Sequence, residues 1–403
     1  MEFVYYKRRW FILILINLFT ATNFYQHFEY TAITNVVSKY YEVSGLSVNF
    51  TAVLFYSNPL IVVYPLIYCL KKHGLQATAL VAIFLNAIGP CIKCLALHRN
   101  LYWLLLIGQS FPAFVTITQP GITAIFGANW FNSEHVAMVI GTETIFFVLG
   151  SIFAFLSPTM IFNEMKNEED IVNGLSLIST TLAILTSILF VISALVIREK
   201  PPTPPCLAEK NRENNMTDQS LKVLINNRSY LVLTIIFCLV AASSRTLSVV
   251  LNQSIFLQFS NANHIVTIAG ILSLIPGLLS STFTGLYILS LKLKCELCVY
   301  ITIFITGFCL IGTYVLALDF IIEVTYPFPE AIAVNITNLC MCIPSIFILP
   351  LTSSLISSFG ATYGNLALFA ITFINFILSL FIKEDLRRHK ANTETTSLLY
   401  NTD

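Results

Sequence analysis

The feature that most restricts this chain is the length of its apolar runs. Eleven of them fall near residues 10–36, 49–70, 77–97, 101–126, 136–162, 171–197, 230–257, 264–291, 297–322, 330–356 and 362–383. A helix needs about 20 apolar residues to cross the ~30 Å hydrocarbon layer of a bilayer. Helices suit that solvent because their backbone groups are hydrogen-bonded within the segment. Charge is correspondingly scarce. Only 11% of the 403 residues are Asp, Glu, Lys or Arg, against about 25% in soluble domains. A net charge of +1 gives no electrostatic footprint for nucleic acid, and 56% hydrophobic content excludes a disordered chain. The expected fold class is an all-α polytopic membrane protein with about 11 recognisable spans.

Six runs precede residue 198 and five follow residue 229. Between them lies Pro201, Pro202, Pro204 and Pro205, then Glu209–Lys210–Asn211–Arg212–Glu213, a polar linker with little to bury. The expected organisation is a six-helix bundle over 1–197, a cytoplasmic linker over 198–229, a second bundle over 230–383 and a tail over 384–403. Two bundles joined in this way are the layout of a two-halved secondary transporter. The first run is too long for a cleavable leader and lacks its small-residue cleavage site. Lys7, Arg8 and Arg9 before it should hold the N-terminus in the cytoplasm. With twelve crossings, seventeen bases would lie inside and three (Lys39, Arg99, Lys166) outside. With eleven, Lys383, Arg387, Arg388 and Lys390 would lie outside, against that rule. Yet 297–322 is enough for one tilted helix and not for two.

Residues along most of 7–390 carry a resemblance. Lys7–Arg8–Arg9–Trp10 is followed by Asn23–Phe24–Tyr25–Gln26–His27–Phe28–Glu29–Tyr30 and Ile33–Thr34–Asn35–Val36. Gly74–Leu75, Thr78–Ala79–Leu80, Ile92–Lys93–Cys94, Gly108–Gln109, Trp130–Phe131, Leu149–Gly150 and Phe155–Leu156 continue it. The second half adds Leu251–Asn252–Gln253, Glu323–Val324–Thr325–Tyr326–Pro327 with Glu330, and Lys383–Glu384–Asp385–Leu386–Arg387–Arg388–His389. With these pieces the chain resembles the feline leukaemia virus subgroup C receptor-related transporters, a branch of the major facilitator superfamily. The resemblance implies a two-bundle fold of twelve spans and transport of choline, ethanolamine or haem. It also implies two helices where only 297–322 stands, so one crossing is missing from this chain.

Ionisable groups at bilayer depth cost on the order of 2.5–3.5 kcal/mol each. They are His27 and Glu29 in the first run, Lys93, Glu143, Arg245 and Asp319. In two-halved transporters the first and seventh helices line the centre, so His27 and Arg245 should face a common site. The resemblance implies an aromatic box for a quaternary ammonium, with Trp where His27 stands and Tyr where Arg245 stands. Polar family positions are Val148 and Cys342 here. An Arg repels a choline cation and suits an anionic or zwitterionic ligand, or haem propionates. Alternatively Glu29 neutralises Arg245 as an ion pair, or Arg245 snorkels to the surface. His27 either packs between helices or, with Glu29, couples protons; Lys93, near a helix end, should snorkel. Candidate substrate-binding residues are therefore Gln26, His27, Glu29, Val148, Arg245, Asn252, Gln253, Asn338 and Cys342. Glu143, Asp319 and Glu323 are gating or structural candidates.

The loop Leu70–Lys71–Lys72–His73–Gly74 lacks the acid usual for the superfamily, which weakens a charge-relay gate. The two Cys-x-x-Cys pairs, Cys91/Cys94 and Cys295/Cys298, fall near opposite faces and cannot share a metal. Asn49–Phe50–Thr51 is a glycosylation sequon close to the membrane. Glu394–Thr395–Thr396–Ser397–Leu398–Leu399 matches an acidic dileucine sorting pattern, an endolysosomal alternative to the expected plasma membrane. No His-Glu-x-x-His motif or nucleophile elbow occurs, so an enzyme is not expected. The expected partners are a small-molecule solute and the bilayer, with no cofactor, metal or nucleic acid, for a chain acting as a monomer.

Overall fold

A computed structural model describes residues 6–131, 135–162, 168–201, 224, 226–256, 286–289, 291, 293, 296–325 and 330–379. The described elements are helical. α1 is Arg8–Phe28, α2 is Thr34–Tyr41 and α3 is Gly45–Leu95. α4 (Tyr102–Val115), α5 (Thr118–Trp130), α6 (Val136–Phe162) and α7 (Glu168–Val196) complete the first group. α8 (Arg228–Phe256), α9 (Glu296–Thr325), α10 (Glu330–Cys340), α11 (Cys342–Phe359) and α12 (Ala361–Ser379) form the second.

Eight helical stretches among the described residues are long and apolar enough to cross a bilayer: Gly45–Pro65, Lys72–Leu95, Arg99–Gly127, Met138–Phe162, Glu169–Val196, Arg228–Leu251, Ile336–Phe359 and Ala361–Leu378. α1 is apolar from Phe11 to Phe19 apart from Asn17, which bonds Thr142 (3.1 Å), and more polar beyond it. Their outer surfaces carry bare apolar groups, with Ile61 70% and Phe347 69% exposed, a surface matched to lipid. The run at 264–291 lies largely outside the described residues, as do most of the linker and all of the tail.

Several expected runs are divided, each for a local reason. The first ends at Phe28, beyond which the Thr31 and Thr34 hydroxyls donate to the carbonyls of Phe28 (3.0 Å) and Thr31 (2.9 Å). Such bonds draw the backbone away from regular helix, and a 3₁₀ turn over Thr31–Ile33 results. Pro120 and Pro344 cannot donate to the carbonyls four residues earlier, at Thr116 and Cys340, where α4 gives way to α5 and α10 to α11. α9, by contrast, runs unbroken for 30 residues, about 45 Å at 1.5 Å per residue, which suits one tilted crossing.

α3 holds two crossings joined at Gly74, whose φ of 77° is left-handed and suits glycine. A Cβ there would also lie 2.6 Å from Glu199 Oε1. α1 and α6 meet at Gly150, where a Cβ would come within 2.1 Å of the Ala21 carbonyl oxygen. α3 packs against α4 and α7, and α8 against α9, α11 and α12. Between the groups the main contact is α3 against α11, with α8 touching the turn after α1.

Candidate functional site

The polar half of α1 faces two different environments. Inside the first group it enters a buried network. Asn23 Nδ2 donates to Asn86 Oδ1 (3.0 Å) and to the Pro112 carbonyl (2.8 Å), and Gln26 Nε2 donates to Asn86 Oδ1 (3.1 Å). Lys93, on the second crossing of α3, ends this network. Its ammonium pairs with the Glu29 carboxylate and donates to Gln26 Oε1 at 3.2 Å. Both charged side chains are 1% exposed. A buried charge is tolerated only when paired and hydrogen-bonded. Two expectations are thereby corrected: Lys93 does not snorkel, and the partner of Glu29 is Lys93, not Arg245. Sequence position put Lys93 near a helix end but could not show α1 lying over it.

The other side of α1 faces the second group. The His27 imidazole stacks between the rings of Phe28 and Phe55, with centroids 4.4 and 4.5 Å away and planes within 4°. Phe24 and Tyr56 flank it at 6.0 and 5.3 Å. Both ring nitrogens are buried without a hydrogen-bond partner. Across the seam, Arg245 of α8 is half-buried and its guanidinium carbon lies 6.0 Å from the Phe24 ring centroid. The Tyr56 phenol, the Cys342 thiol and His27 lie within its electrostatic reach. Arg245 has no ion-pair partner among the described residues, because the carboxylate expected for it is held by Lys93. A protein cation thus occupies an aromatic cluster of the kind that attracts quaternary ammonium groups.

The remaining candidates fall in distinct places. Val148 and Cys342 pack in the same apolar cluster as Phe24, Tyr56 and Val249, with Cys342 near Arg245. Asn338 is buried one turn before Cys342, whose thiol points at its carbonyl (3.9 Å). Glu143 is buried on α6 against Thr123 of α5. The backbone of Asn252, Asp319 and Glu323 is helical, and their side chains lie outside the described residues. Gln253 sits about two turns beyond Arg245 on α8, in a latch between the groups. Asn49 Nδ2 donates to Gln253 Oε1 (3.1 Å) and Ser353 Oγ (3.0 Å). Gln253 Nε2 donates to the Ser353 carbonyl (3.1 Å) and to Ser357 Oγ (2.8 Å). Asn49, the sequon asparagine, is fully buried in this latch.

The latch is on the face opposite Arg8, Arg9 and Arg198. On that basic face, the Glu199 carboxylate accepts from the Leu75 and Gln76 amides at 2.9 and 2.7 Å, an anion at a helix N-terminus. Sequence reading noticed the loop's missing acid but not its replacement, which arrives from the far end of α7. The signal available was Glu199 itself, directly after the sixth run.

Known proteins resemble this chain in sequence or in fold. The choline/ethanolamine transporter flvcr2a of Danio rerio is 28% identical over 97% of this chain and 89% of its own length. Choline/ethanolamine transporter FLVCR1 of Felis catus is 25% identical over 96% of this chain and 74% of its own. Among solved structures, a D-xylose–proton symporter superposes with a TM-score of 0.69 at 12% identity, over 93% of this chain and 98% of that one. A bacterial homologue of the human lysosomal transporter Spinster, inward-facing and occupied, gives 0.68 at 12% identity, over 94% and 97%. The family model of the Major Facilitator Superfamily matches residues 10–332. The chain belongs to the Major Facilitator Superfamily and is a multi-pass membrane transporter, not an enzyme.

Proposed function

We propose that this transporter works by alternating access between a bundle over 1–197 and one over 230–383. Its central site, between α1 and α8, would select a small amine that also bears an anionic group. The observation that carries the reading is Arg245, a cation without a carboxylate partner among the described residues, set beside Phe24 and Tyr56. Relatives named as choline and ethanolamine transporters support an amine as the common element of the substrate. A bare ammonium would meet like charge at Arg245, whereas a zwitterion would place its carboxylate there and its ammonium over the aromatic rings. Charge placement favours the basic face as cytoplasmic, which makes the Asn49–Gln253–Ser353 latch the outer closure.

Uptake of labelled choline, ethanolamine, glycine betaine and haem into cells expressing the chain tests this. Saturable betaine flux above choline flux is expected. Choline flux above betaine flux would refute the substrate class. No flux of any of the four, with the protein at the cell surface, would favour a transport-deficient receptor or scaffold. The unbroken α9, standing where the resemblance implies two helices, is the observation that keeps that second reading in play.

A further inference from the structure

α6 carries one ionisable side chain in its 27 residues, Glu143. It is 8% exposed, and the polar group beside it is the Thr123 hydroxyl of α5. Among the described residues no charged side chain lies within electrostatic reach of it. The elements packed on α6 account for this. α5 has no titratable residue between Thr118 and Trp130, nor has the Thr31–Ile33 turn. Asn17 of α1 stands level with Glu143, its Nδ2 donating to Thr142 Oγ1 at 3.1 Å. The titratable residues of α1 sit about two turns or more to either side. Arg8 bonds the Val196 carbonyl, Arg9 lies over the Trp10 and Phe131 rings, Tyr25 bonds Ser157 and His27 is in its ring stack. Glu168, Glu169 and Asp170 open α7 at the far end of α6, about 28 Å away by helical rise. His135 is exposed just before α6. Arg245 of α8 lies over Phe24, which meets α6 at Phe147, one turn beyond Glu143.

The surroundings of the carboxyl hold polar atoms without partners. Thr123 is fully buried, and its hydroxyl stops short of a hydrogen bond to Glu143 or to any other described group. One turn earlier on the same face of α5, Gln119 is 1% exposed with both amide atoms unpartnered. These atoms are sealed, so no metal ion or water-sized ligand fits among them. A proton needs no such room. An ionised carboxylate in uncharged surroundings at bilayer depth is costly. A proton added to Glu143 removes that charge and supplies an O–H for Thr123 Oγ1 to accept. α5 also touches α10 of the second group, so parting the groups there shifts the helix that backs the carboxyl.

We propose that Glu143 is a proton-binding site that couples one proton to each transport cycle. It takes the proton from water on one side of the membrane and keeps it as the carboxylic acid while α5 and α10 are in contact. Once that seam opens and water reaches the carboxyl, the proton returns to water on the other side. Only the O–H bond forms and breaks. The proposal rests on the alternating-access reading and is indifferent to which solute is carried.

The full chain in neutral-lipid proteoliposomes, with the membrane potential clamped, tests this with labelled glycine betaine, choline and ethanolamine. A gradient of one pH unit should drive several-fold accumulation of the carried solute, with about tenfold the limit for one proton per solute. Glu143→Gln, the isostere of the neutral acid, should move the same solute only to equal concentrations. Flux without gradient-driven accumulation in the parent, or accumulation unchanged in Glu143→Gln, would overturn the proposal alone. No flux of any solute would sink the alternating-access reading with it. If Glu143→Gln does not elute as the parent does, a reagent on the parent carries the test. Dicyclohexylcarbodiimide is apolar and reacts with protonated carboxyls, so at neutral pH it should modify Glu143, as mapped by mass spectrometry. An unmodified Glu143 would refute the proton site.

Discussion

Replacing Arg245 by tyrosine, the residue the resemblance places there, should convert the central site toward cations. The guanidinium carbon is 6.0 Å from the Phe24 ring centroid, so an ammonium seated on the same cluster would lie about 6 Å from it. At an effective dielectric of ~20 the repulsion at that distance is about 3 kcal/mol, roughly a hundredfold in binding. The new ring would add about 0.5–2 kcal/mol of cation–π attraction. Choline kcat/KM should therefore rise by about two orders of magnitude, while betaine loses its counter-ion and falls about tenfold. Initial uptake rates normalised to surface protein measure both. If neither changes by more than about threefold while the variant reaches the surface, Arg245 does not face the substrate and the charge argument fails.

Three further outcomes follow from the buried contacts. Glu29→Gln or Lys93→Met alone leaves an uncompensated buried charge and should destabilise by about 3–5 kcal/mol, whereas the double variant should be closer to the parent; thermal unfolding in detergent measures the coupling, and additive losses would contradict the pair. Gly74→Ala should lower the melting temperature more than Glu199→Gln, because it meets both a left-handed φ and the carboxylate, a combined cost above ~1 kcal/mol. Asn49→Ala should weaken the latch by about 1 kcal/mol per lost bond. A cysteine at Ser47 should then react several-fold faster with an impermeant maleimide, and an unchanged rate would exclude the latch as a closure.

Run length and charge scarcity made the membrane fold legible, since both are properties of segments rather than of contacts. His27, in the last turn of α1, and Arg245, midway along α8, both lie near the Phe24 ring, a nearness that followed from their elements, which two-halved transporters bring together. Contacts between elements remote in the chain were not legible. The Glu29–Lys93 pair depends on how α1 lies across α3, and apolar periodicity does not specify that register. Glu199 stands 124 residues from Leu75, so the loop looked acid-free when read alone. Gln253 was read as a substrate ligand from its place in a family-like segment, yet in this state it bonds across the seam to Ser353 and Asn49.

The sequon asparagine carries one last implication. Both acceptors of Asn49 Nδ2, Gln253 Oε1 and Ser353 Oγ, bind the very nitrogen to which an oligosaccharide is attached. A sugar there would use up one of the two N–H donors and wedge a bulky group between α3 and α11. Decoration at this position and shutting of the two halves are therefore mutually exclusive. A copy modified at Asn49 would lack the Asn49 bonds of the latch.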